Sequence, residues 1–150
     1  MAFSAPSLKG RALRLLSQRE HSRAELERKL ARHEEEPGSL ARALDELAAK
    51  DFISEARVVQ SVLHQRAPRL GAARVRQELQ AKGIAPEAVA EAVSGLQATE
   101  VERARALWQR RFDAPPSDAK ERARQARFLL ARGFAGATVA KVLRTGGDDD

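Results

Sequence analysis

The chain has 150 residues, 43% of them hydrophobic but only 4% aromatic, with no Cys and no Tyr; this is enough for one ordinary domain or a short array of smaller units, with a core expected to be aliphatic. The lack of Cys excludes disulfides, thiolate metal sites and cysteine nucleophiles. No apolar run approaches the roughly 18 residues of a membrane span and Met1 to Gly10 lacks a signal peptide's apolar segment, so the cytoplasm is the expected compartment. Lys plus Arg number 27 against 21 Asp plus Glu, a balance of +6 that points toward nucleic acid or an acidic protein surface as partner.

In chain order, Leu8, Ala12, Leu15 and Leu16 form a helical stripe. Ser22 followed by Glu25 has the pattern of a capping box, and Leu26 and Leu30 supply the buried face of the helix it starts. Glu34-Glu35-Glu36-Pro37-Gly38 interrupts, and Ser39 restarts a helix to about Ala49. Further helices are predicted near Glu55 to Arg66, Ala72 to Ala81 and Pro86 to Leu96, with Gly83 as a C-terminal stop and Pro86 as a first-turn residue. Val101, Ala104, Trp108 and Phe112 share one helical face. After the loop Asp113 to Ser117, a longer helix runs from about Asp118 to Arg132, Gly133 stops it, and Gly136 to Arg144 forms the last.

The elements repeat. Adding 49 to Leu26, Leu30, Leu40, Leu44 and Leu47 gives Val75, Leu79, Val89, Val93 and Leu96. Adding 50 carries Leu79, Gly83, Ile84, Val89 and Val93 onto Leu129, Gly133, Phe134, Val139 and Leu143; only Val75 fails, landing on Gln125. The expected fold is all-α, three tandem three-helix repeats forming an elongated, curved body. The expected divisions are residues 8–54, 55–98 and 99–144, with disordered ends at 1–7 and 145–150.

No catalytic or metal constellation stands out: His21, His33 and His64 have no metal-motif spacing and are expected to be solvated or half-buried. No enzyme activity and no cofactor are expected. What remains is charge. Residues 1–54 carry ten basic and nine acidic side chains, residues 55–98 six and four, and residues 99–144 eleven and five. The candidate contact residues are therefore Arg57, Arg66, Arg69, Arg74, Arg76 and Lys82 in the middle unit and Arg110, Arg111, Arg124, Arg127 and Arg132 in the third, because Arg binds phosphate and carboxylate bidentately. Glu78 and Lys82 are spaced for a salt bridge within one helix. Leu30, Leu79, Val93 and Leu129 are predicted core.

Three stretches carry a family resemblance: Leu15 to Leu30 with its Gln18-Arg19-Glu20-His21-Ser22-Arg23-Ala24-Glu25-Leu26 centre; Arg66-x4-Gly71-x2-Arg74-Val75-x2-Glu78-Leu79-x2-Lys82-Gly83-Ile84; and Arg127-Phe128-Leu129-Leu130-x-Arg132-Gly133-Phe134. Together they resemble the RecX family of bacterial recombinase regulators over about residues 8–144. One departure is Val58, where the family has an aromatic after the Arg of the middle unit. The resemblance implies a monomer of tandem three-helix repeats that binds the RecA recombinase filament on single-stranded DNA. It would lie in the filament groove, suppress its ATPase, strand-exchange and co-protease activities, and so modulate recombination and the SOS response, with weak direct DNA binding and no membrane partner. The alternative is a stand-alone, helix-turn-helix-like DNA-binding regulator.

Overall fold

The computed structural model describes residues 5–145, so the disorder expected at residues 1–4 and 146–150 lies outside it. Among the described residues there are nine α-helices and no strand: α1 Leu8–Gln18, α2 Arg23–Leu30, α3 Ser39–Ala49, α4 Glu55–Arg66, α5 Ala72–Ala81, α6 Pro86–Gln97, α7 Glu100–Arg111, α8 Ala119–Ala131 and α9 Gly136–Thr145. A single 3-10 turn, Ala31–His33, follows α2. The starts are chemically marked. Ser7 accepts from Gly10 N at 2.9 Å and Asp118 from Glu121 N at 2.8 Å. Ser22 and Glu25 make both halves of the capping box.

By compactness the chain divides into two units. The first runs through Ser61 and takes back Ala81–Ile84; the second comprises Val62–Gln80 and the chain from Ala85 on. In the first, α1, α2 and α3 pack on one another around buried Ala12, Leu26, Leu30, Leu40, Leu44 and Leu47, with Leu8, Leu15 and Leu16 against this cluster. In the second, α7, α8 and α9 enclose Ala104, Leu107, Trp108, Phe112, Leu129, Phe134, Val139, Val142 and Leu143. An entirely aliphatic core holds only for the first cluster. Trp108, Phe112 and Phe134 are all buried in the second, because the chain's few aromatics are concentrated there.

Every aliphatic position of the repeat is buried, from Leu26 through Leu143. The one mismatch is instructive. Gln125, in the place of Val75, is 1% exposed. Its side-chain oxygen accepts from Trp108 Nε1 at 2.8 Å, and its amide donates to Ala114 O and Glu121 Oε1, both at 3.1 Å. The position stays inside, and its polarity is matched to the indole N–H that a Val could not satisfy.

One junction is built twice, fifty residues apart. Within the first unit Gly83 is left-handed (φ 72°), a Cβ there would sit 2.7 Å from Ala24 Cβ, and Arg28 Nη2 donates to Ala81 O at 3.0 Å. Within the second, Gly133 is left-handed (φ 87°), a Cβ would collide with Arg74, and Arg74 Nη1 donates to Ala131 O at 2.7 Å. Here the end of α8 also supplies the acceptors that the start of α5 lacks. Gly71 N donates to Arg132 O at 2.7 Å, Ala73 N to Gly133 O at 3.3 Å, and Ala72 N to Glu100 Oε1 at 3.0 Å. A side chain at Gly71 would strike the Gly133 carbonyl, so this contact needs two glycines.

Candidate anion-binding interface

The third-unit arginines converge on two rings. Phe112 caps α7, its N–H donating to Trp108 O at 2.9 Å, and its ring is buried. Phe128, half-buried on α8, meets it edge to face with centroids 5.3 Å apart. Arg111 lies over Phe112 and Phe128 at 5.4 and 5.9 Å. Arg124 lies over Phe112 at 5.1 Å and Arg132 over Phe128 at 3.9 Å. Three further bonds fix the outer pair. Glu121 accepts from Arg124 Nε and Nη2, both at 3.1 Å, and Arg132 Nη1 donates to Phe128 O at 3.3 Å.

A guanidinium stacked on a ring uses its face and keeps in-plane N–H groups for an anion, with less side-chain entropy left to lose on binding. Arg110 and Arg127 are exposed and have no ion-pair partner among the described residues. Among the described residues Glu121 is the one carboxylate bonded to this set; hydrogen bonds from Arg124 and Gln125 hold it below the usual carboxylate range. Three arginines held over rings and two without an ion pair thus set five cationic side chains of the third unit against one bonded acid.

Most of the middle cluster has a different destination. Arg57 bonds Glu20 Oε1 at 2.9 Å, Asp51 Oδ2 at 3.1 Å and Asp51 O at 2.6 Å, steadying the left-handed Asp51 (φ 65°) that ends α3. Arg66 bonds Glu78 at 2.9 Å, Arg74 holds Ala131 O, and Arg69 reaches Gln65 O at 3.4 Å. The expected Glu78–Lys82 bridge is not formed. Glu78 takes Arg66 instead, and Lys82, beyond the last residue of α5, reaches Glu25 at 3.3 Å. Of this group Arg76 alone has neither hydrogen bond nor ion pair among the described residues; it lines a shallow cavity of about 270 Å³ with Val93, Gln97, Phe134 and the exposed Leu130.

Several polar residues have structural roles beyond those the sequence signalled. Glu25 is buried and accepts from Arg19 Nη2 at 2.7 Å and Ser22 N at 3.0 Å. Burial raises its pKa, but these bonds and the Lys82 charge bring it down to about 2. His21 is 1% exposed, not solvated or half-buried as its sequence context suggested. Its Nδ1 lies 3.1 Å from Arg19 O and its Nε2 3.2 Å from Lys29 Nζ, the neutral tautomer with Nδ1–H donating and Nε2 accepting. Burial, then the Arg19 and Lys29 charges, push it below 6.5 despite the bond to Arg19 O. Arg103 donates to Ala67 O, Leu70 O and Leu96 O at 2.8–3.0 Å, closing the ends of α4 and α6. Glu100 accepts from Ala72 N and, at 2.9 Å, from Thr138 Oγ1.

Three family models match in chain order: the first three-helix domain of RecX over residues 9–47, the second over 54–93 and the third over 98–143. The chain belongs to the RecX family. It is 56% identical over 146 residues to the regulatory protein RecX of Leptothrix cholodnii, covering 96% of this chain and 93% of that one. It is 49% identical to that of Ralstonia nicotianae, covering 92% and 87%. The crystal structure of RecX from Lactobacillus salivarius superposes with a TM-score of 0.74 at 20% identity, over 92% of this chain and 93% of that one, and shows the same fold. Membership in the RecX family brings with it a regulatory role. Among the described residues no helix is long and apolar enough to cross a membrane and no group of His, Cys, Asp and Glu is placed to hold a metal.

Proposed function

We propose that this chain regulates homologous recombination by binding the RecA filament on single-stranded DNA, lying in its groove and inhibiting its ATPase, strand-exchange and co-protease activities. The observation that carries the proposal is the array of Arg111, Arg124 and Arg132 over Phe112 and Phe128, flanked by unpaired Arg110 and Arg127. Such a face offers oriented donors to the phosphates or carboxylates of a polyanionic filament. Lys82, Arg57 and Arg66 drop out as primary contacts, since each is tied to a carboxylate on another segment of the chain; Arg69, Arg74 and Arg76 remain as accessory ones. The chain acts as a cytoplasmic monomer without a cofactor, and contacts to successive recombinase subunits raise the effective concentration of the next contact.

The test is the single-stranded-DNA-dependent ATPase of the cognate RecA with this protein added below one copy per recombinase. Loss of activity is the expected result. No effect at equimolar protein and low salt defeats the proposal. Salt-sensitive binding to naked DNA, together with inhibition that needs no preformed filament, would move the function to a stand-alone DNA-binding regulator.

A further inference from the structure

A second cationic site lies in the first unit and includes none of the residues singled out above as contacts. A cavity of about 350 Å³ opens between α1 and the end of α2, near the lower end of the size of small-ligand pockets. Pro6, Leu15 and Leu30 give it an apolar floor, and Arg11, Arg14, Lys29 and Arg32 stand round it. The unit's other partnered cations show what is unusual here. Lys9, Arg19, Arg23, Arg57 and Lys82 each pair with a carboxylate. None of the four around the cavity does so among the described residues: Lys29 leans on His21 Nε2 and Arg32 on His33 Nε2, both at 3.2 Å. His33, also in the lining, is held below 6.5 by desolvation and by the charges of Arg11 and Arg32, consistent with a local positive field.

We propose that this cavity is a docking site for an acidic protein segment, seating one large apolar side chain on the Leu15–Leu30 floor while Arg11, Arg14, Lys29 and Arg32 pair with flanking carboxylates. Three observations favour a protein segment over nucleic acid. The cavity has no Phe, Tyr or Trp on which a base could stack. Its lining is mostly apolar apart from the cations, which suits a side-chain anchor. The adjoining groove, which shares Arg11 and Arg32, carries Glu35 and Glu36, and these carboxylates repel any polyanion long enough to run through it, so the site suits a short segment confined to the cavity. Four unneutralised cations supply the complementary charge, and guanidinium–carboxylate pairs at the rim of an apolar pocket combine steering with a bidentate fit. The site uses none of the second unit's arginines, so it stands apart from the filament interface proposed above.

The experiment is fluorescence anisotropy of a labelled short peptide of alternating Asp and Leu, titrated with the full chain. Saturable micromolar binding is expected, weakened about tenfold or more by Arg11→Glu with Arg32→Glu and also by exposed Arg14→Glu alone. The same peptide with Asn for Asp should not bind. Arg124→Glu with Arg127→Glu should leave peptide binding unchanged, so a failure at this site is distinguishable from a failure of the filament interface. Thermal melts followed by circular dichroism establish that the variants stay folded. No saturable binding at millimolar peptide, or equal affinity in the variants, overturns the proposal. So does an oligo-dT that is bound when the peptide is not and is lost with Arg11 and Arg32.

Discussion

The two units use the same residue type in opposite ways. In the first, away from the Leu15–Leu30 cavity, several arginines are matched to carboxylates: Arg19 to Glu25, Arg23 to Asp45 at 2.8 Å, Arg57 to Glu20 and Asp51. In the second, most are held by rings and carbonyl oxygens, although Arg66 pairs with Glu78 and Arg124 with Glu121 as well as with the Phe112 ring. Arg111, Arg124 and Arg132 lie over Phe112 and Phe128, Arg103 closes helix ends, and Arg74 holds Ala131 O. A carboxylate cancels the charge it holds. A ring or a carbonyl holds an arginine and leaves its charge in place. The second arrangement therefore gives order without neutrality, which a surface meant for an anion requires. The near-balance of residues 1–54 and the basic excess of residues 99–144 are the sequence trace of this difference.

The comparison can be tested first at the cores. Leu26→Ala in the first unit and Leu129→Ala in the second each empty a fully buried site, and each should cost about 2–5 kcal/mol in urea unfolding. A cost well under 1 kcal/mol in either would show that its cluster is not a packed core.

Acid should separate the units next. The Glu25 carboxyl is held at about 2 against an ordinary 4.5. Its contribution is fully present above pH 4.5 and is lost as pH falls toward 2, on the order of 3 kcal/mol over that window. His21, held below 6.5, adds loss of the same sign as pH falls from that value, because the unfolded chain takes up the proton first. Glu25→Gln should flatten the stability profile between pH 4.5 and 2, as followed by urea titrations at each pH. An unchanged slope would remove Glu25 from the account.

A middle-sized effect is expected at Gln125. Gln125→Val restores the repeat's aliphatic residue yet strands Trp108 Nε1, so it should cost about 1–3 kcal/mol in thermal or urea unfolding rather than stabilise. A stabilised variant would mean that the repeat pattern, and not the Trp108 bond, governs the site. The smallest change in stability, with the largest in binding, belongs to the arginine face. Arg124→Glu with Arg127→Glu should abolish most inhibition of the recombinase ATPase with little change in melting temperature. Phe128→Leu keeps every charge but removes the ring beneath Arg132 and Arg111, and should weaken inhibition by a few-fold, about 0.5–1 kcal/mol per lost cation–π contact. Equal inhibition by Phe128→Leu would show that charge alone matters on this face.

The fold was legible wherever a local rule decides structure. The Ser22–Glu25 box, Pro86 at the start of α6 and the stops at Gly83 and Gly133 set helix limits from a few neighbouring residues. The fifty-residue aliphatic period named the buried positions, because burial follows helical spacing. The site was only partly legible. Sequence clustering selected Arg111, Arg124, Arg127 and Arg132, but it also selected Lys82 and Arg57, whose partners Glu25 and Glu20 lie 57 and 37 positions away in the chain.

The sequence by itself thus determined the helices and their repeat, through capping chemistry, glycine backbone freedom and hydrophobic spacing, all of which act over a few residues, while the family resemblance rested on three motifs. Only the tertiary structure decided which cations are neutralised, which rest on Phe112 and Phe128, and which stand unpaired round the Leu15–Leu30 cavity. The physical reason is reach. An Arg or Lys side chain is long and flexible, and its partner is whatever acid, ring or carbonyl the folded chain brings to it, a property of contacts between distant segments that no local pattern encodes.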